Sequence, residues 1–190
     1  APTCRNIGIS IAKGDYIIFV DSDDVLAPHC FEQRIETFQK EPDFDAHIFQ
    51  VLRLNKLNDR KKPWAFDDKG DHLQRFLNLD PVWHTTGPIW NRNSFEKYGL
   101  KFDERLDLWQ DLDIHVQSLI RNIKYKVNFN MPADCFYNEH NDKSISQRPP
   151  SYKQRISQWI YLRKTYFSLI QNDLEYEKYI KRFIILGSYF

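Results

Sequence analysis

Apolar and polar positions alternate unevenly along this chain, and their spacing predicts its elements. Five apolar or aromatic residues, Tyr16 to Val20, run straight into Asp21, Ser22, Asp23 and Asp24. An unbroken run of that kind reads as a strand buried on both faces of a parallel sheet. Just before it, Ile7, Ile11 and Ala12 share one helical face and Gly14 marks the stop. A strand buried on both faces needs a neighbour on each side, and little chain precedes this one. An N-terminal portion of the protein is therefore expected outside these 190 residues.

After the acidic cluster, "APHCFEQRIETFQKEP" reads as a helix, with Pro28 in its first turn, Phe31, Ile35 and Phe38 as its apolar stripe, and Pro42 beyond its end. Residues 45–55 read as one strand, 60–71 as a charged loop, and "HLQRFLNL" as a short helix. The stretch from Gly87 to Leu106 reads as a strand, a helix and a stop at Gly99. Leu112, Val116, Leu119 and Ile120 fall at helical spacing, "KYKVNFNM" alternates like a strand, and the chain from Ser151 onward reads as helical. Strands that alternate with helices make α/β the fold class.

Composition narrows the function classes. Apolar residues make up 42% and charged residues 28%, the balance of a globular domain, and the net charge of +1 offers no field for nucleic acid or acidic lipid. Aromatics reach 15%, enough to supply both a thick core and stacking surfaces for sugars or bases. Cys4, Cys30 and Cys135 form no CxxC pair and suggest no disulfide framework, which favours a reducing compartment. No apolar run approaches the ~20 residues that span a bilayer.

The acidic cluster is the candidate for chemistry. Ligands of open α/β sheets bind at the carboxyl ends of strands, where Asp21 to Asp24 fall. Carboxylates so close together need a cation, a proton or a basic side chain to neutralise them, and hard oxygen ligands suit Mg²⁺ or Mn²⁺. The plain alternative is that they cap the following helix. An EF-hand loop begun at Asp21 would place Glu32 correctly, but Val25 and Leu26 stand where a ligand and a glycine are needed. "FVDSDDVL" also resembles the opening motif of haloacid-dehalogenase-type phosphatases, in which Asp21 would be the nucleophile and Asp23 the acid/base; Asp24 replaces the usual glycine.

A longer resemblance runs through "RNIGISIAKGDYIIFVDSDD", "GPIWNRNSFEKYGLKFDERL", "WQDLD" and "YNEHNDKSIS". These four blocks, in this order, resemble family 2 glycosyltransferases. The resemblance implies a partial GT-A (Rossmann-like) mixed sheet flanked by helices in residues 1–150, lacking its N-terminal nucleotide-binding strands, and a helical C-terminal extension in 151–190. It implies a metal-dependent, inverting transfer of a hexosyl or N-acetylhexosaminyl group from a nucleotide-sugar, a UDP-sugar by expectation, to a saccharide or lipid-linked acceptor in cell-surface polysaccharide synthesis.

The same resemblance assigns residues. Arg5, Asn6, Asp21 and Ser22 fall on the nucleotide side; Asp23, Asp24 and His140 fall to the Mg²⁺ or Mn²⁺, with Asp23 the expected metal contact. Asp111 of "WQDLD" matches the general base, and Gln110 stands where the family often has glutamate. Trp83, His84, Trp90 and Trp109 flank the expected acceptor side, and Trp109, beside the base, is the candidate for stacking on a sugar. Plain alternatives stand beside these: Asp111 and Asp113 as first-turn helix carboxylates, His140 as a solvated loop residue. The tail from Ser151 reads either as an amphipathic helix in peripheral contact with the inner face of a membrane, near a lipid-linked acceptor, or as a helix covering the sheet. A cytoplasmic setting is the expectation. A non-catalytic domain that binds a partner is the third function class.

Overall fold

Two four-stranded mixed sheets and the helices around them make up the residues described by the computed structural model, 1–54, 60–61, 66–78, 80–138 and 152–170. In order they are α1 (Pro2–Ile11), β1 (Tyr16–Ile18), β2 (Val25–Leu26), α2 (Cys30–Lys40), β3 (Ala46–Ile48), β4 (Val51–Leu54), β5 (Arg60–Lys61), α3 (His72–Leu77), β6 (Pro88–Asn91), α4 (Asn93–Lys97), α5 (Gln110–Ile120), β7 (Tyr125–Val127), β8 (Cys135–Asn138) and α6 (Tyr152–Leu169). One sheet has the order β1-β6-β3-β7 and the other β2-β8-β4-β5. The pairs β3–β7 and β4–β8 are parallel and the remainder antiparallel. The mixed α/β architecture is the one expected.

Several local expectations are corrected. Among the described residues the run at Tyr16 forms β1 at the end of its sheet, pairing antiparallel with β6 and burying Ile17 and Phe19 while Val20 is exposed. Where one strand is expected over 45–55, the described residues 45–54 hold two strands in two different sheets, with the switch at Phe49, whose N–H donates to Gly87 O at 3.0 Å. Gly87 has to be glycine, because a Cβ there would lie 2.9 Å from Phe49 O and 3.1 Å from His84 O. The loop expected over 60–71 begins with the short strand β5.

Each early helix turns inward only part of its predicted stripe, Ala12 in the first and Phe38 in the second. In α1, Ile7 and Ile11 are exposed while Ile9 and Ala12 pack on the core. In α2, Phe31 and Ile35 are exposed; Cys30, Arg34, Thr37 and Phe38 face inward. Arg34 explains the difference in α2. Its guanidinium is fully buried and donates to both oxygens of Asp134, at 2.7 and 2.6 Å, and to Thr86 O at 2.8 Å. A bidentate pair of this kind offsets the cost of burying both charges, which the apolar pattern of α2 alone does not reveal.

Gly99 ends α4 as predicted. Its φ is +61°, and the bonds Leu100 N–H to Phe95 O and Gly99 N–H to Glu96 O complete a Schellman cap. The main core gathers Ile17, Phe19, Trp90, Phe102, Ile114 and Leu119 with side chains from α3, and α6 adds Leu162 and Tyr166. Among the described residues no helix is long and apolar enough to cross a membrane.

Candidate functional site

Asp21 to Asp24 close a tight turn between β1 and β2, with Asp24 N–H donating to Asp21 O at 3.0 Å. The backbone bond folds the two outer carboxylates toward each other. The following helix begins only at Cys30, so these residues do not cap it. The Asp24 carboxylate is completely buried. Its Oδ2 accepts from Thr86 Oγ1 at 2.5 Å, and its Oδ1 has no hydrogen-bond partner among the described residues. Burial pushes its pKa up, and the charges of Asp21 and Asp23 add to the rise against the opposing Thr86 hydroxyl and His84. His84 Nδ1 lies 3.9 Å from Asp24 Oδ2.

Asp21, Asp24 and His84 each offer one ligand atom, all within 4.8 Å of one another. A buried carboxylate oxygen with an unfilled lone pair is costly unless something occupies it. Two carboxylates and an imidazole are a donor set that divalent transition ions accept. The residues present thus fit the expected cation, with His84 in a place that spacing along the chain does not disclose. Asp23, half-buried, stands outside this group of three, and Ser22 is exposed at the tip of the turn. Thr86 is itself held in place, since its carbonyl receives Arg34 and Gly87 permits the close approach behind it.

Arg5 carries the site across the molecule. From α1 its Nη2 donates to Asp21 Oδ1 at 2.5 Å and its Nη1 to Gln110 Oε1 at 3.1 Å. The guanidinium also lies over the Phe102 ring, 5.2 Å from its centroid. One arginine therefore joins the carboxylate turn to the turn that bears the expected base. Asn6, its neighbour, has its amide on the 102–104 segment, donating to Phe102 O and Glu104 Oε1 and accepting from Phe102 N–H.

Trp109 precedes α5 with φ 57° and ψ 19°, the left-handed region that a bulky residue rarely enters. Its side chain is half-buried and packs on the core. Asp111, in the first turn of α5, is exposed, and its Oδ1 accepts from Leu112 N–H at 2.9 Å. Two residues on, Asp113 is buried. Its Oδ2 accepts from Gln117 Nε2 at 2.6 Å and its Oδ1 from Tyr166 Oη at 3.0 Å, and burial raises its pKa to about 6. Trp83 and Trp90 are buried in the core. His140 lies outside the described residues. A cleft of about 530 Å³ is lined by Lys101, Asp103, Arg105, Gln117, Arg121 and Tyr161 among others, and none of the carboxylates of the two turns lines it.

With this geometry in hand, known proteins can be set beside the chain. Residues 3–99, just over half of it, match the family model described as Glycosyl transferase family 2. The uncharacterized glycosyltransferase EpsJ of Bacillus subtilis (strain 168) is 24% identical over 178 residues, covering 86% of this chain and 48% of EpsJ. The uncharacterized glycosyltransferase YibD of Escherichia coli (strain K12) is 34% identical over 95 residues, 48% of this chain and 24% of YibD. The chain thus spans about half or less of the length of these relatives. Among solved structures, S. aureus TarS 1-349 in complex with UDP-GlcNAc matches with a TM-score of 0.73 at 14% identity, covering 97% of this chain and 52% of that one. At that identity the likeness speaks for the fold, and it bears out the expected GT-A architecture.

Proposed function

Because the chain belongs to glycosyl transferase family 2, we propose that it forms the catalytic face of a metal-dependent, inverting glycosyltransferase. The donor in this reading is a nucleotide-sugar, a UDP-sugar by preference, and the acceptor a hydroxyl of a saccharide or lipid-linked molecule. The family match runs through Asp21 to Asp24 and so favours the transferase over a phosphatase that would use the same aspartates. TarS, which shares the fold, was crystallised with UDP-GlcNAc, and this supports the choice of nucleotide.

One observation carries the reading: Arg5 links Asp21 to Gln110, so that the carboxylate turn and the base-bearing turn belong to one constellation. Asp21, Asp24 and His84, with Asp23 alongside, would hold a Mg²⁺ or Mn²⁺ ion. When bound, such an ion stabilises the negative charge that gathers on a departing nucleoside diphosphate. Asp111 takes the proton from the acceptor hydroxyl while that oxygen bonds to the anomeric carbon; the bond from that carbon to the diphosphate oxygen breaks with its electron pair, inverting the centre. An exposed carboxylate suits this role, because the acceptor must reach it. Arg5 keeps the diphosphate end of the site cationic, and Ser22 and Asp21 face the nucleotide. Trp109 and Gln110 line the acceptor side.

Equilibrium binding of UDP and UDP-GlcNAc, with and without Mn²⁺, tests the reading on the parent and on Asp23→Ala and Asp24→Asn. Mn²⁺-dependent binding that weakens in either variant supports it. Release of phosphate from a simple phosphate ester, abolished by Asp21→Asn, overturns it in favour of the phosphatase.

A further inference from the structure

Trp109 is a bulky residue in left-handed backbone, directly before Gln110 and Asp111. That conformation is unfavourable for a non-glycine residue and persists where its surroundings over-determine it. The segment around it is bonded by α6, which lies wholly outside the part of the chain that matches the family model. Leu108 N–H, one residue before the strained position, donates to Oε1 of the buried Gln158 at 3.1 Å. Trp109 O accepts from Asp113 N–H at 2.8 Å, and the Asp113 carboxylate is fixed by Tyr166 Oη at 3.0 Å and Gln117 Nε2 at 2.6 Å. Earlier on the same segment, Asp103 and Arg105 both bond to the Tyr161 hydroxyl. A helix that served only as a cover would need Leu162 and the ring of Tyr166, both fully buried, and nothing more. Instead three polar side chains of α6 converge on residues 103–113.

We propose that α6 is a clamp for the base: Gln158 and Tyr166 are positioning residues that hold the Trp109 turn in its left-handed form and so aim Asp111, while Arg5 ties Gln110 to the donor side. The inference rests on the transferase reading for Asp111, but the clamp has its own observable. Gln158→Leu keeps the volume and removes the acceptor of Leu108 N–H; Tyr166→Phe keeps the ring and removes the bond to Asp113.

The test uses the full-length protein and two readouts. The first is UDP released from UDP-GlcNAc with Mn²⁺, water taking the place of the acceptor hydroxyl and giving its proton to Asp111, resolved into kcat and donor KM. The second is amide hydrogen exchange at 108–113 compared with 21–24. Both variants are expected to lower kcat by about 10- to 100-fold, the scale on which a reacting group answers to a misplacement of about an ångström, with donor KM unchanged and faster exchange confined to 108–113. In a Trp109→Gly background, where left-handed backbone costs nothing, most of the additional loss from Gln158→Leu should disappear. A lower melting temperature with unchanged kcat and unchanged exchange at 108–113 overturns the clamp, as does an undiminished Gln158→Leu penalty in the glycine background. If the parent releases no UDP, the transferase reading falls, and the exchange comparison alone decides whether α6 holds the turn.

Discussion

Asp24 and Asp113 are two buried aspartates that stand in similar sequence surroundings and do opposite things. Each follows a more accessible carboxylate by two or three residues, Asp21 in one case and Asp111 in the other, and each has its pKa raised chiefly by burial. The difference lies in what their oxygens accept. Asp113 receives Gln117 on one oxygen and Tyr166 on the other, so it is a filled structural hub. Asp24 receives Thr86 on one oxygen and, among the described residues, leaves the other without a partner, beside Asp21 and His84. Burial and a shifted pKa alone would rank the two alike. The unfilled lone pair marks the one that can take a ligand.

The sharpest way to break the comparison is through the exposed partner of the filled hub. Asp111→Asn should lower kcat by about 10²- to 10⁴-fold, the usual worth of a general base, and leave Mn²⁺-dependent UDP binding intact. Steady-state kinetics beside a binding titration reads both at once. Full turnover in the variant would remove Asp111 from the chemistry.

The hub itself should show in stability against pH. Asp113 holds its proton up to about pH 6 in the folded protein, against an ordinary value of 3.8. Between those values the folded state binds a proton that the unfolded chain has already released. The contribution of this group is therefore complete below about pH 4 and is lost as pH rises through 6. The span is at most about 3 kcal/mol, from roughly two pKa units at 1.36 kcal/mol each. Urea denaturation from pH 4 to 7 should show this slope in the parent and a flatter one in Asp113→Asn. Identical slopes would mean that Asp113 is not held desolvated. A smaller effect is expected at the open site, where Asp24→Asn keeps an oxygen for Thr86 but removes the charge. Mn²⁺ affinity should fall about 10- to 100-fold, the range in which metal sites answer to one altered group. Calorimetric titration with Mn²⁺ checks it, and unchanged affinity would move the ion toward Asp23.

What the sequence disclosed follows the range of each contact. The α5 stripe and the Gly99 stop are local, so spacing predicts them. The apolar pattern of α2 places Phe38 but not the rest of its buried face, because Arg34 is buried against Asp134, 100 residues away. A periodicity argument scores arginine as solvent-facing and so turns the helix toward Phe31 and Ile35. The apolar run of β1 is equally local, but a continuous apolar run does not say which strands flank it. His84 and Thr86 reach Asp24 only because Phe49 switches sheets and Gly87 lets two backbones approach closely. The role of α6 depends on hydrogen bonds spanning about fifty residues, for which the sequence carries no periodic signal.

Ser22 offers the finest test of the open site. It sits exposed at the tip of a turn that is closed by the backbone bond between Asp24 N–H and Asp21 O, so alanine leaves the turn and the two outer carboxylates in place. What alanine removes is a neutral hydroxyl on the expected nucleotide side. A net hydrogen bond of that kind is worth about 0.5–1.5 kcal/mol, so Ser22→Ala should weaken UDP by about two- to tenfold while Mn²⁺ affinity and urea stability stay at parental values. The carboxylates would then be separable from the contact between them: charge for the cation, hydroxyl for the nucleotide. An unchanged UDP affinity would leave Ser22 as a spacer whose only task is to bring Asp21 round to Asp24.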